Sequence, residues 1–262
     1  MSSSWVFDQA HYDALNAARG DSVRRVLPEL IQRFNMKTAL DLGCGLGYYA
    51  ELLHSFGLRV LGVDGRRENV EEAKKRYPHL EFQTIDAQDP ALTSIGKFDL
   101  VFCFGLFYHL ENPFRVIRSI AEMTAQVSLL EGIVYPSPEP VLVLMDENSG
   151  MDQGMNFVAY YPSEPCLVKM LHRSGLSYCY NPSPAPAHEE YHTGPNGFRR
   201  RTVIAASRTA IQAASLTPWP EQIAEFSPWR MMPLFPARGR SAKAYGLVDR
   251  LLNAKARKEN RH

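Results

Sequence analysis

From Thr38 onward, short apolar runs alternate with amphipathic stretches, the pattern of βαβ units and a parallel sheet. Before that point, residues from about Phe7 to Phe34 carry a mostly helical period, read as broken near Gly20 and restarted by Asp21 as an N-cap. Arg66 to Tyr77 predicts a helix with a solvated charged face. Pro113 to Thr124 predicts another, begun by proline at its first turn, and Val127 to Tyr135 a buried strand. Residues 136–161 interrupt the alternation with Pro136, Pro138, Pro140, the apolar Val141–Met145 and a polar run from Asp146 to Gly150, so they are read as an insertion after the fifth strand. Pro162 to Ser174 resumes as a helix with Gly175 as its C-cap, and Leu176–Tyr180 and Arg199–Ser207 read as the last strands.

The expected fold class is therefore α/β: a Rossmann-like, seven-stranded, mostly parallel sheet with helices on both faces and its last strand antiparallel. The expected organisation is an N-terminal helical cap over 1–35, a main domain over 36–208 carrying the insertion, and an extension over 209–262. In that extension, Thr217–Pro220 and the prolines from Pro228 to Pro236 exclude long regular elements, while Ser241 to Lys258 reads as a helix. Counted from Arg238, the tail carries a net charge of about +6, which suits solvent, an acidic partner or a subunit contact that makes a homo-oligomer.

Composition narrows the function classes. A chain of 262 residues that is 45% hydrophobic and 22% charged suits a globular protein with one large core. The net charge of +1 argues against a sequence-blind grip on nucleic acid. No apolar run approaches the ~20 residues of a membrane span, and Met1–Trp5 has no signal-peptide character. Cys44, Cys103, Cys166 and Cys179 are scattered without C-x-x-C pairs, so neither a zinc cage nor a disulfide framework is expected, and a reduced, cytoplasmic setting fits.

The chemistry concentrates in Ala39–Ala50, where an apolar run ends at Asp41 and Gly43, Gly45 and Gly47 lead into a helical pattern. Such glycines let a strand-to-helix turn approach a ligand closely. A dinucleotide fingerprint would place its third glycine where Tyr48 stands, and a carboxylate two residues ahead of Gly43 is a poor neighbour for a pyrophosphate. The same carboxylate suits a ligand bearing an ammonium and a sulfonium. Leu40–Gly47 resembles the first motif of class I S-adenosylmethionine-dependent methyltransferases, and the resemblance runs in order over roughly residues 36–208.

The resemblance makes Leu58–Asp64 the second strand, ending in the acid that holds the ribose hydroxyls. It makes Phe82–Ala87 the third, with Asp86 accepting from the adenine amino group and Asp89 as its competitor, and Phe98–Leu110 the fourth strand with its active-site turn. The implied cofactor is S-adenosyl-L-methionine, and the implied cofactor-binding residues are Asp41, Gly43, Cys44, Gly45, Gly47, Asp64, Gly65, Arg66, Asp86, Ala87, Phe104 and Gly105. His109 is the candidate base and Tyr108 the candidate orienting group. Tyr12 and Arg19 from the leading helix, and His188, Glu190 and His192 from a loop over the carboxyl edge, are candidate substrate contacts. His188–His192 formally matches the zinc-protease helix H-E-x-x-H, but Pro182, Pro184, Pro186 and Gly194–Pro195 deny it a helix, so no metal is assigned.

The function expected is methyl transfer to an oxygen or nitrogen of a small molecule. Phe98–Phe102 and Gly105–His109 also resemble the branch containing tRNA wobble-uridine carboxymethyltransferases, which makes RNA modification an alternative. A non-catalytic cofactor-binding protein is the third.

Overall fold

The computed structural model describes Trp5, residues 10–148, Gly150 and residues 153–219. The chain divides into two units, Met1–Gln222 and Ile223–His262. The second unit, and with it the expected helix over 241–258, its basic tail and any subunit contact through it, lies outside the described residues.

In chain order the first unit runs α1 (Ala10–Phe34), β1 (Thr38–Leu42), α2 (Tyr48–His54), β2 (Arg59–Asp64), α3 (Arg67–Arg76), β3 (Glu81–Thr84) and β4 (Phe98–Phe104). It continues through α4 (Pro113–Met123), β5 (Thr124–Ile133), β6 (Leu142–Asp146), β7 (Val158–Pro162), α5 (Glu164–Arg173), β8 (Tyr178–Pro182), β9 (Arg201–Ser207) and β10 (Leu216–Pro218). One sheet of eight strands holds the order β10-β8-β9-β5-β4-β1-β2-β3. Strands β3, β2, β1, β4 and β5 are parallel, and β9 joins β5 antiparallel. The expected seven-stranded architecture is present, and Leu216–Pro218 adds an eighth, short edge strand paired with Asn181 and its neighbours.

Strand order reverses between β1 and β4. Right-handed crossovers on either side of that reversal put α2 and α3 on one face and α4 and α5 on the other. The first face joins α1 in a core of Leu15, Val23, Val26, Leu27 and Leu30 against Ala50, Leu53, Phe102 and Leu129. On the other face α4 buries Val116, Ile117, Ile120 and Ala121, the spacing of one helical stripe.

The expected break at Gly20 does not occur: α1 runs unbroken through it, and Asp21 pairs with Arg24 instead of capping. Burial of the Val23–Leu30 stripe outweighs the low helix propensity of one glycine, about 1 kcal/mol. Gly20 serves packing, since a Cβ there would lie 3.1 Å from the Tyr48 hydroxyl.

The insertion folds into a hairpin. β6 and β7 form a separate two-stranded antiparallel sheet with Asp146 opposite Val158. A bridge between Tyr135 and Ser163 closes its base.

β2 packs on β3 through a single tight point, where a Cβ at Gly62 would sit 2.4 Å from the Phe82 ring. Gly62→Ala is expected to lower unfolding stability by about 1–3 kcal/mol, read as a reduced urea midpoint. An unchanged midpoint would mean the ring has room to move.

Candidate active site

The reversal of strand order opens a crevice at the carboxyl ends of β1 and β4, where ligands of open α/β sheets bind. A cavity of about 670 Å³ occupies it. Its wall contains Gly43, Cys44, Gly45, Asp64, Gly65, Arg66, Asp86, Ala87, Phe104, Gly105, Tyr108 and His109, together with Tyr12 and Arg19 from α1.

The glycine turn is stitched to the end of β2. The amides of Gly43 and Cys44 both donate to the Val63 carbonyl, at 2.7 and 3.0 Å. Gly43 has a φ of 80°, and a Cβ there would meet Leu106 at 2.9 Å. Gly45 is different: its φ is 51° and no atom lies within 4 Å of where a Cβ would stand. Its amide donates to Asp64 Oδ2 at 3.0 Å, while Asp64 Oδ1 accepts from the Arg66 amide at 2.8 Å and Asn69 Nδ2 at 3.1 Å. Asp64 thus ties the end of β2 to the turn after β1 while still facing the cavity. Burial raises its carboxyl above the ordinary range.

Asp86 lines the cavity and Asp89 does not. Asp86 accepts from the Gln88 amide at 2.9 Å, whereas Asp89 caps the following 3-10 turn through the Ala91 amide at 2.7 Å.

Two residues of the expected cofactor set do not reach the wall. Gly47 is the N-cap of α2, packed against Phe82 and Tyr77 with a φ of 88°. Asp41 lies beneath the turn, 1% exposed, and its Oδ2 has no hydrogen-bond partner. Burial, reinforced by Asp64, pushes its carboxyl up to about 8.

The opposite end of the cavity is built from the turn after β4, the hairpin, and the sheet's antiparallel side. Tyr108 is buried and meets Tyr161 of β7 edge to face at 5.9 Å. His109 Nδ1 is hydrogen-bonded to Glu147 Oε1, and Glu147 Oε2 accepts from the Gly154 amide at 2.7 Å. Behind them stands Glu131, wholly buried on β5. It accepts from Arg19 at 2.7 Å, the Tyr191 hydroxyl at 2.6 Å and Arg201 at 3.2 Å. Burial would raise the Glu131 carboxyl, but the two guanidinium groups and the Tyr191 hydroxyl hold it below the ordinary carboxylate range.

The loop histidines are not part of this wall. His188 caps its own short turn by accepting from the Glu190 amide, Glu190 pairs with Arg201 at 2.6 Å, and His192 is exposed. The turn spans only Glu189–Tyr191, so the two histidines share no helix face. The member of that segment that reaches inward is Tyr191. Sequence reading also passed over Glu131, Arg201 and Glu147. A lone carboxylate inside the apolar run Val127–Tyr135 was the available signal for the first. The partners of the other two are 70 and 38 residues away along the chain.

Residues 40–129 match the family described as a methyltransferase domain, and they include the glycine turn, Asp64, Asp86 and the His109 turn. A solved structure with the same fold is the N-terminal domain of EvdMO1 with S-adenosylhomocysteine bound. Its TM-score is 0.58 at 18% identity, over 74% of this chain and 81% of that one. Among curated proteins, the chain is 30% identical to a tRNA U34 carboxymethyltransferase of Pseudomonas putida, over 58% of this chain and 49% of the relative. It is 29% identical to a ubiquinone biosynthesis O-methyltransferase of Vibrio parahaemolyticus, over 47% of this chain and 54% of the relative. The chain thus spans about half the length of these curated relatives.

Asp41 has a pH consequence. Its folded-state pKa lies above the unfolded value, so the native state holds a proton that the unfolded chain releases as pH rises. The contribution of Asp41 to stability therefore falls between about pH 4 and pH 8. Asp41→Asn is expected to flatten that decline relative to the parent, measured as urea midpoints from pH 5 to 8. Parallel curves would place the Asp41 proton elsewhere.

Proposed function

We propose that this chain transfers a methyl group from S-adenosylmethionine to an oxygen or nitrogen of a small molecule. One observation carries the reading: the Asp64 turn and the His109 turn open on the same cavity, beneath the same hairpin tip. The residues present fit a cationic donor. Asp64 presents its carboxyl to the cavity, and Gly45, whose amide it accepts, leaves open space beside it. When bound, the donor supplies a methyl group on a sulfonium, already activated for displacement.

The chain's own residues supply the rest. Asp64 offers remaining lone pairs to ribose hydroxyls, and Asp86 stands where an exocyclic amine would be accepted. Leu106, Phe104 and Gly105 form the floor between the two halves. Tyr12 and Asn16 of α1 close the cavity from above, and Arg19, held by Glu131 and Tyr191, fixes that helix over the site. His109 takes the acceptor's proton, and Tyr108 shapes its approach. Four buried free thiols support a reduced, cytoplasmic setting, and no helix among the described residues is long and apolar enough to cross a membrane.

A second reading, modification of tRNA, is favoured by the likeness to the Pseudomonas putida relative. The net charge of +1 weighs against it. Filter binding of tRNA at low and moderate salt separates the two. Retention at moderate salt supports the RNA reading.

Calorimetry is expected to show S-adenosylmethionine binding that Asp64→Ala weakens at least about tenfold. His109→Ala is expected to keep cofactor affinity but to lower methyl transfer to a panel of phenols, hydroxy acids and amines by about 10²-fold or more. Unchanged affinity in the first variant removes the ribose role, and full transfer in the second removes the base.

A further inference from the structure

We propose that Glu147, carried on the insertion, is the positioning residue for His109, so that the hairpin and the turn after β4 together form a carboxylate–histidine dyad. The inference rests on His109 being the base. Glu147 is 38 residues from His109 in sequence, yet its Oε1 meets Nδ1 of the ring, with the Glu147 side chain 3% exposed and that of His109 13%. With Nδ1 committed to the carboxylate, Nε2 is the nitrogen left to take a proton, and the tautomer is set. The carboxylate is itself held, because its second oxygen accepts from the Gly154 amide at 2.7 Å.

Gly154 is part of the device. A Cβ at that position would lie 2.5 Å from the His109 carbonyl and 2.7 Å from Glu147 Oε2, so only glycine lets the hairpin tip press onto the turn this closely. The tip is anchored on both banks of the cavity. The Gln153 carbonyl accepts from Arg66 at 3.0 Å beside Asp64, and Asn156 donates to Glu111 at 3.2 Å beside His109. Met155 of the same tip lines the cavity and packs over Gly65. The seat of the tip therefore fixes Glu147, and Glu147 fixes the ring.

In the transfer step, the acceptor's O–H or N–H proton passes to His109 Nε2 as the acceptor lone pair bonds to the methyl carbon. The carbon–sulfur bond breaks with its electron pair going to sulfur. The positive charge thus leaves sulfur and arrives on the imidazolium, where Glu147 stabilises it. The other titratable or charged groups on adjoining elements are Tyr108 on the same turn, Glu111 just after it, Glu131 on β5, Tyr161 on β7 and Arg201 on β9, the last paired with Glu131 and Glu190.

The test needs no acceptor. Proton NMR of the full chain follows the imidazole Cε1–H signals through pH, with the His109 signal assigned by its loss in His109→Ala. Glu147→Gln keeps the shape and removes the charge, and is expected to move the His109 titration midpoint downward. Glu147→Asp, which restores the charge, is expected to recover most of it. Coincident midpoints in parent and Glu147→Gln would overturn the dyad, as would a Glu147→Asp midpoint no higher than that of Glu147→Gln. A lowered midpoint in Glu147→Gln combined with full methyl transfer by His109→Ala would retire the base reading and leave the positioning contact standing, so the two failures are distinguishable.

Discussion

The carboxylate of Glu131 is entirely removed from water, and the site is arranged around keeping it ionised. An unpaired buried charge costs several kcal/mol, so three donors must converge on it. They come from α1, from β9 and from the turn that contains Tyr191. That requirement holds a helix against the sheet, brings a strand of the antiparallel edge to the cavity and folds a proline-rich loop inward. The backbone of the same residue accepts from the Gly105 amide at 3.0 Å, which ties the charge cluster to the turn after β4. Positions of residues on both sides of the cavity thus trace to one strand residue.

Two acids at the cofactor end pull in a different direction. Asp64 is surrounded by donors and remains on the wall, whereas Asp41 is sealed beneath with an unsatisfied oxygen. The first can serve as a directional contact. The second stays off the cavity wall and holds its proton up to about pH 8.

Much of this was legible in the chain because the informative groups were close together or placed by periodicity. Gly43, Gly45, Asp64, Asp86 and the Tyr108–His109 turn follow strand ends, and a strand end has one place in a parallel sheet. Where the reading failed, a local rule lost to packing at a distance. Gly20 reads as a helix break, but buried side chains on either side carry α1 through it. His188 and His192 look like chemistry, yet the residue between them that matters is Tyr191, whose partner is Glu131. Glu147 sits in a polar stretch that any loop could contain, and only the hairpin's register brings it to His109. Pairings of this kind depend on tertiary contact, for which one sequence holds no periodic trace.

The bridge between Tyr135 and Ser163 has a consequence for how such a protein changes over time. It holds the two feet of the hairpin side by side, while the far end is held separately by Arg66, Glu111 and the His109 turn. Insertion or deletion of one residue in either arm would slip the pairing of β6 with β7 and carry Glu147 off the His109 ring, so the length of the arms is held by the contact they make.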